Sequence, residues 1–246
     1  MSDPVSFSFP NDDTMNETFL LEISVESLDA AIAAERAGAA RVELCSNLRA
    51  GGITPPPDLL RQVRAALAIP VFSMIRPRSG DFLYEEPELT AMTAQIAEAK
   101  EIGVDGVVLG VLCPDGSIDV SRTKELVDRA DPLPVTFHRA FDHTKDFLEA
   151  LERVIATGAR RLLTSGGAES VPEGLPVLLE LLEAARERIV VMPGGGLNAG
   201  NFAEVRRALP AREFHSGLGS VLPYDSSDFT RFEAEIRAML TPFTSP

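Results

Sequence analysis

The chain has 246 residues, a formal charge of −14 and 45% hydrophobic residues with no Trp. So acidic a chain repels nucleic-acid phosphates and anionic membranes, and no Lys/Arg-rich run relieves this locally. No apolar run is long enough to span a bilayer, the N-terminus lacks the regions of a secretion signal, and Cys45 and Cys113 do not make a disulfide framework, so the cytosol is the expected compartment.

Residues 1–18 read as a flexible, disordered acidic tail, and residues 19–246 as one domain. Leu20–Val25 is a first strand, and Ser27-Leu-Asp starts a helix that stops at Gly38. Arg41–Cys45 is a second short strand. The loop from Ser46 to Pro55 is too rich in glycine and proline to be regular. A helix over 57–67 leads to a third strand, Pro70–Ile75, which ends in the polar run Arg76-Pro-Arg78-Ser-Gly-Asp81. The next helix carries Leu89, Met92, Ile96 and Ala99 on one stripe and stops near Gly103. Strand four is Gly106–Val111, followed by a helix over 120–129.

Strand five starts at Pro134 and runs into His138-Arg139-Ala-Phe-Asp142. Strand alternation puts Thr136 and His138 on one face, inward, and turns Arg139 toward the helices, where it can meet Asp142. A helix with Phe147, Leu151, Val154 and Ile155 on one face stops at Gly158. Strand six is Arg161–Thr164, followed by Ser165-Gly-Gly. A helix with Leu175, Leu178, Leu179 and Leu182 at helical spacing precedes strand seven, Ile189–Met192. Asn198 is the expected cap of a helix through Ala208. Strand eight is Glu213–Ser216, and 229–240 is the closing helix.

These are eight strand–helix units. Three helix-to-strand joints read alike, at Gly38, Gly103 and Gly158, 65 and 55 positions apart, or about two units each. A two-unit period suits an α/β TIM (β/α)8 barrel, whose interior layers come from alternate strands, better than a doubly wound open sheet.

Barrel sites lie at the C-terminal strand ends. Glu22, Glu43, Arg76, Arg78, His138, Asp142, Ser165 and His215 are expected there. Singly, each is a candidate surface or structural pair. Together, Glu22 and Glu43 interrupt strands that should carry Val, Ile and Leu inward, and a buried carboxylate needs a cation, for which Arg76 is the nearest candidate. Glu43, His138 and Arg76 thus make a candidate acid–base centre. The loop Gly194-Gly195-Gly196-Leu-Asn198 is a candidate anion cradle at the start of the seventh helix, though glycine loops also serve as plain turns. Lys100, Lys124 and Lys145 all fall away from strand ends, so a Schiff-base aldolase is not expected. No His-x-His ends strand one, and no GxGxxG or Walker loop is present. Cys45 and Cys113 are either ligands for Cu(I) or buried, inert small side chains.

Arg41–Cys45, Gly51–Pro55, Met74–Phe82, Pro134–Asp142, Leu163–Gly166, Met192–Gly196 and Glu213–His215 together resemble the copper homeostasis protein CutC family, over about Leu20 to Ser216. The resemblance implies a cytoplasmic, self-associating TIM-barrel protein that binds copper, with Cys45 a metal ligand. Ser24 stands where some members have a second cysteine. The alternative reading of the same residues is a barrel enzyme acting on a small anionic or phosphorylated molecule. In it Glu43 and His138 do acid–base work, Arg76 and Arg78 clamp the substrate, and Glu22, Asp142, Ser165, His215 and the glycine loop complete the site.

Overall fold

In the computed structural model, residues 19–224 and 227–241 are described; the tail expected over residues 1–18 lies outside them. Strands and helices alternate as β1 Leu20–Val25, α1 Leu28–Ala37, β2 Arg41–Leu44, α2 Pro57–Ala66, β3 Val71–Met74, α3 Glu86–Ile102, β4 Gly106–Leu109, α4 Val120–Ala130 and β5 Val135–Phe137. They continue with α5 Phe147–Thr157, β6 Arg161–Thr164, α6 Leu175–Ala185, β7 Val190–Pro193, α7 Phe202–Ala208, β8 Glu213–Ser216 and α8 Thr230–Leu240. Each strand lies parallel beside its sequence neighbours, and β1 also pairs with β8. A parallel bridge between Gly194 and His215 joins β7 to β8 and closes the ring. This is the (β/α)8 barrel; an open sheet has no such closing contact.

The repeated joints have a common cause. Gly38, Gly103 and Gly158 end α1, α3 and α5 with φ of 103°, 85° and 84°, a left-handed backbone that costs a Cβ-bearing residue strain. Ser27 caps α1 by accepting the Ala30 N–H, and proline at the first turn of α2 suits a position whose N–H needs no helical partner. Leu21, Ile23, Val42, Leu44, Val107 and Val135 point outward and are fully buried against the helices.

Three sequence expectations need correction. Asn198 does not cap the seventh helix, which starts only at Phe202 after Asn201; its carboxamide bonds Gly196 O and Gly200 N–H instead. On α6 the buried residues are Leu178, Leu181 and Ala185, while Leu179 is exposed. The extended run of β5 ends at Phe137, and Arg139–His143 is a 3-10 turn, so strand alternation does not govern Arg139.

The inward residues stack in layers contributed by alternate strands, as the register dictates. The lowest holds Arg41, Gly106, Arg161 and Glu213. Above it come Glu22, Phe72, Thr136 and Met192, and then Glu43, Val108, Leu163 and His215. The top layer is Ser24, Met74, His138 and Gly194. Gly106 leaves the room that the Phe72 ring fills: a Cβ there would sit 2.4 Å from the ring.

Candidate functional site at the barrel mouth

The floor of the barrel is a closed set of charges. Arg41, 2% exposed, donates to Glu22 through Nε and to Glu213 at 2.7 Å, and Arg161 reaches the same Glu213 carboxylate at 2.8 Å. The Phe72 ring packs against both guanidiniums, at 4.7 and 5.3 Å. The cation beside Glu22 is therefore Arg41, not Arg76 as the sequence suggested. Glu22 is the third residue of β1 and therefore sits mid-barrel rather than at a strand end. Burial alone would raise the Glu22 carboxyl, but Arg41 and then His215 outweigh it and hold its pKa at about 2.

Above this floor opens a cavity of about 480 Å³ at the C-terminal strand ends. Of the sequence candidates, Glu43, Arg76, His138, Gly195, Gly196 and His215 line it. A larger groove of about 840 Å³ lies on the outside, between α3 and α4. Its Arg122 is bonded to Glu86, and it has no histidine or buried acid. The candidate site is therefore the mouth.

One wall of the mouth is the pair Glu43–His215. His215 Nδ1 lies 2.7 Å from Glu22 Oε1, so the imidazole is oriented from below and its Nε2 faces Glu43 Oε2 at 3.9 Å. Glu43 is 3% exposed and its Oε1 has no partner among the described residues. Burial raises the Glu43 pKa, with His215 offsetting only part of that. For His215, burial is outweighed by Glu43 and Glu22, and its pKa rises. Cys45, fully buried, donates its S–H to Glu43 Oε2 at 3.5 Å; burial and the Glu43 carboxyl push this thiol well up. Glu22, Glu43 and His215 bring ligand atoms within 4.8 Å of one another, the one such cluster among the described residues, and neither cysteine belongs to it.

The opposite wall carries donors. His138 Nδ1 accepts the Ala140 N–H at 3.3 Å, which assigns the ring proton to Nε2. That Nε2 is buried without a partner among the described residues. Burial, then the charge of Arg76, lower the His138 pKa to about 3, so the ring is neutral. Gly110 makes space for it: a Cβ there would lie 2.8 Å from the imidazole. Phe82 packs on His138 at 4.9 Å and on Arg76 at 4.6 Å.

The remaining candidates are tied up elsewhere and do not line the cavity. Arg78 bonds Glu88 at 2.5 Å and Leu83 O at 2.6 Å and lies over Tyr84, stapling the β3–α3 loop. Asp142 accepts from Arg139 at 2.7 Å and from Thr164, Ser165 and Gly167, a pin between the β5 and β6 loops. Ser165 is held within that pin, donating to Ala168 O at 2.6 Å or to Asp142. Gly194 packs under Leu163 and His215, its missing Cβ 2.4 Å and 2.9 Å from them. The glycine loop precedes α7 by several residues, so it is not a helix N-terminus.

Sequence reasoning missed Arg41, Arg161 and Glu213 as the neutralising floor. The signal was available: Arg41-x-Glu43 and Glu213-x-His215 alternate on one strand face, as inward-facing pairs must. It also gave Arg139 a scaffold role, whereas Arg139 lines the cavity as well as pinning Asp142.

Comparison with known proteins now places this geometry. A sequence model of the CutC family matches residues 19–220. Copper homeostasis protein cutC homologs from Mus musculus and Homo sapiens are each 49% identical over 202 residues, 82% of this chain and 74% of theirs. A family protein CutC from Chromobacterium violaceum is 49% identical over 197 residues, 80% of each chain. The crystal structure of a CutC protein from Streptococcus agalactiae superposes with a TM-score of 0.77 at 33% identity, covering 81% of this chain and 98% of that one. A phosphoribosylanthranilate isomerase from Thermotoga maritima, at 16% identity and a TM-score of 0.58, shares the fold alone.

Proposed function

The chain belongs to the CutC family, and on that footing we propose that it is a copper homeostasis protein that holds copper as a cargo ion in the barrel mouth. One observation carries this reading: His215 is turned by Glu22 so that its Nε2 faces a buried Glu43 carboxyl with an unpartnered oxygen. A carboxylate behind a histidine fixes the tautomer and orientation of a metal-binding imidazole. His215 Nε2 and Glu43 Oε1 would hold the ion, and Cys45 Sγ, 3.5 Å from Glu43, would add sulfur on losing its proton.

The donor set decides which copper chemistry fits. A two-thiolate Cu(I) site does not: β1 offers Ser24 and Cys45 is a single thiol. A mixed nitrogen, oxygen and sulfur set fits copper, with imidazole as the anchor. In this reading the protein is cytoplasmic and self-associating, as the family resemblance implies; light scattering on the purified chain tests the second point. Crystals of copper-loaded protein should give an anomalous peak at the copper edge beside His215 Nε2. Unchanged copper stoichiometry in both His215→Ala and Cys45→Ser would refute the site.

A second reading is favoured by a separate observation. Glu43 and His138 line one cavity, and Glu43 Oε1 and His138 Nε2 have no hydrogen-bond partner among the described residues. An enzyme would use Glu43 and His138 as acid–base groups on a small anionic molecule. Glu43→Gln should then abolish turnover while leaving the melting temperature within a few degrees of wild type.

A further inference from the structure

The mouth contains a buried guanidinium that has no ion-pair partner among the described residues. Arg76 is 4% exposed, and its guanidinium donates to the main-chain carbonyls of Gly51 at 3.1 Å, Gly52 at 3.0 Å and Gly80 at 2.7 Å, with the Tyr84 hydroxyl beside it and the Asp81 carboxylate acting only from longer range. Among the described residues no carboxylate lies within ion-pair distance of it, and its Nε has no partner at all. The other deeply buried arginine, Arg41, has two carboxylates. A buried cation is costly unless a counter-charge reaches it, and the open side of Arg76 is the cavity.

Two more donors converge on that side. His138, 4% exposed, has an Nε2–H with no acceptor among the described residues, and the residue lines the cavity. Arg139 spends Nε on Asp142 and Nη2 on Ser165 and Ala168 O, while Nη1 bonds nothing among the described residues. That Nη1 rests on the bare face of Gly195, where a Cβ would come within 3.1 Å, and both residues line the cavity. The Phe82 ring packs on Arg76 and His138, fixes their planes and keeps water from that flank. Each of the three is a donor; Arg139 has Asp142 on its Nε side, while Arg76 and His138 have no carboxylate bonded to them among the described residues.

We propose that this wall binds the carboxylate or phosphate group of a small molecule, with Arg76 supplying the counter-charge and His138 Nε2–H and Arg139 Nη1 the directed hydrogen bonds. The shared chemistry is a compact oxyanion with several acceptor oxygens, which a guanidinium and a neutral imidazole recognise together. The cavity volume of about 480 Å³ accommodates the rest of such a molecule between this wall and Glu43. The inference rests on the small-molecule reading of the mouth and is independent of copper, since none of the three donors is a metal ligand in the copper reading.

The test is titration of the full-length protein with inorganic phosphate, with malonate, and with neutral erythritol, each at constant ionic strength in chloride. Calorimetry reads the affinity, and the ¹⁵N resonance of His138 Nε2 reads the location. Saturable binding of phosphate or malonate, with the His138 resonance moving on the same isotherm and affinity falling at least tenfold in His138→Phe, is the expected result. Which anion binds more tightly separates a phosphate from a carboxylate ligand. Binding of erythritol without either anion overturns the inference and leaves the small-molecule reading standing; binding of none of the three overturns both. If His138→Phe fails to fold, the wild-type resonance decides alone: an unmoved His138 signal during saturable anion binding places the anion elsewhere and refutes the proposal.

Discussion

Acid should weaken this fold through His138 before it titrates most carboxylates, and the size of the effect follows from one number. The folded protein holds His138 at a pKa of about 3, against 6.5 for the free side chain, because the ring is buried and Arg76 stands beside it. The folded state therefore keeps the ring neutral while the unfolded chain takes up a proton below pH 6.5. The sign is fixed: the contribution is whole above pH 6.5 and is lost as pH falls toward 3. At pH 5 the unfolded chain gains about 2 kcal/mol from this one proton, and at pH 4 about 3.4 kcal/mol, at roughly 1.36 kcal/mol per pH unit. His138 is 4% exposed, so solvent screening takes little from that figure. His138→Phe keeps a ring in the slot beside Gly110 and removes the titration. Urea unfolding of both proteins at pH 7 and pH 5 should show the stability gap between them shifting by about 2 kcal/mol in the variant's favour. Other titrating groups are common to both proteins and cancel. An equal pH dependence in the two, or an imidazole that titrates near 6.5 in the folded wild type, would refute the assignment.

Three further outcomes are expected. Arg41→Leu takes from the fully buried Glu22 its guanidinium partner, leaving it His215, and leaves Glu213 with Arg161 alone; it should cost about 3–5 kcal/mol, read from the urea midpoint, and a loss under about 1 kcal/mol would mean that His215 and Arg161 suffice to neutralise the floor. Gly106→Ala drives a methyl into the Phe72 ring and should cost about 1–3 kcal/mol by the same assay, whereas no loss would show that the ring shifts freely. Iodoacetamide should label half-buried Cys113 in the native protein and reach Cys45 only on unfolding, as followed by mass spectrometry. Native labelling of Cys45 at the rate of Cys113 would contradict its burial.

How far the sequence reached depends on the kind of interaction. The barrel was legible because its signals are local: glycines at the ends of α1, α3 and α5 recur at a two-unit period, and short apolar strands follow each. Glu43, His138 and His215 were legible as inward-facing polar residues on strands. Partner choice was not. Arg76 was offered to Glu22 as the nearest cation at a strand end, two strands away, whereas the partner is Arg41, the residue in register with Glu22 on the neighbouring strand β2. Arg78, Asp142 and Ser165 were placed at the site because they follow strand ends. Whether a polar side chain there faces the mouth or ties one loop to the next depends on the fold of that loop. Arg139 went the other way: its cavity edge exists only because β5 stops at Phe137 and the chain turns into a 3-10 helix.

The layering also explains why the reactive groups lie where they do. Arg41, Arg161, Glu22 and Glu213 make a floor of two positive and two negative charges, paired among themselves and roofed by Phe72. Glu22 is shared upward as well, and its hold on His215 Nδ1 leaves the Nε2 of that ring for the mouth. One layer higher the pairing stops. Among the described residues Glu43 keeps an unpartnered oxygen, His138 an unpartnered N–H and Arg76 no ion-pair partner, and all three residues line the same cavity. Each carries a desolvation penalty that a stability-optimised core would not retain. The floor repays the cost of its buried charges within the fold. On the proposed readings the mouth would recover its cost from what it binds, an ion on the Glu43–His215 side and an oxyanion on the Arg76–His138 side. The two sides differ in sign, so a metal and an anion would strengthen each other's binding there, and copper affinity measured with and without phosphate would reveal it as reciprocal tightening.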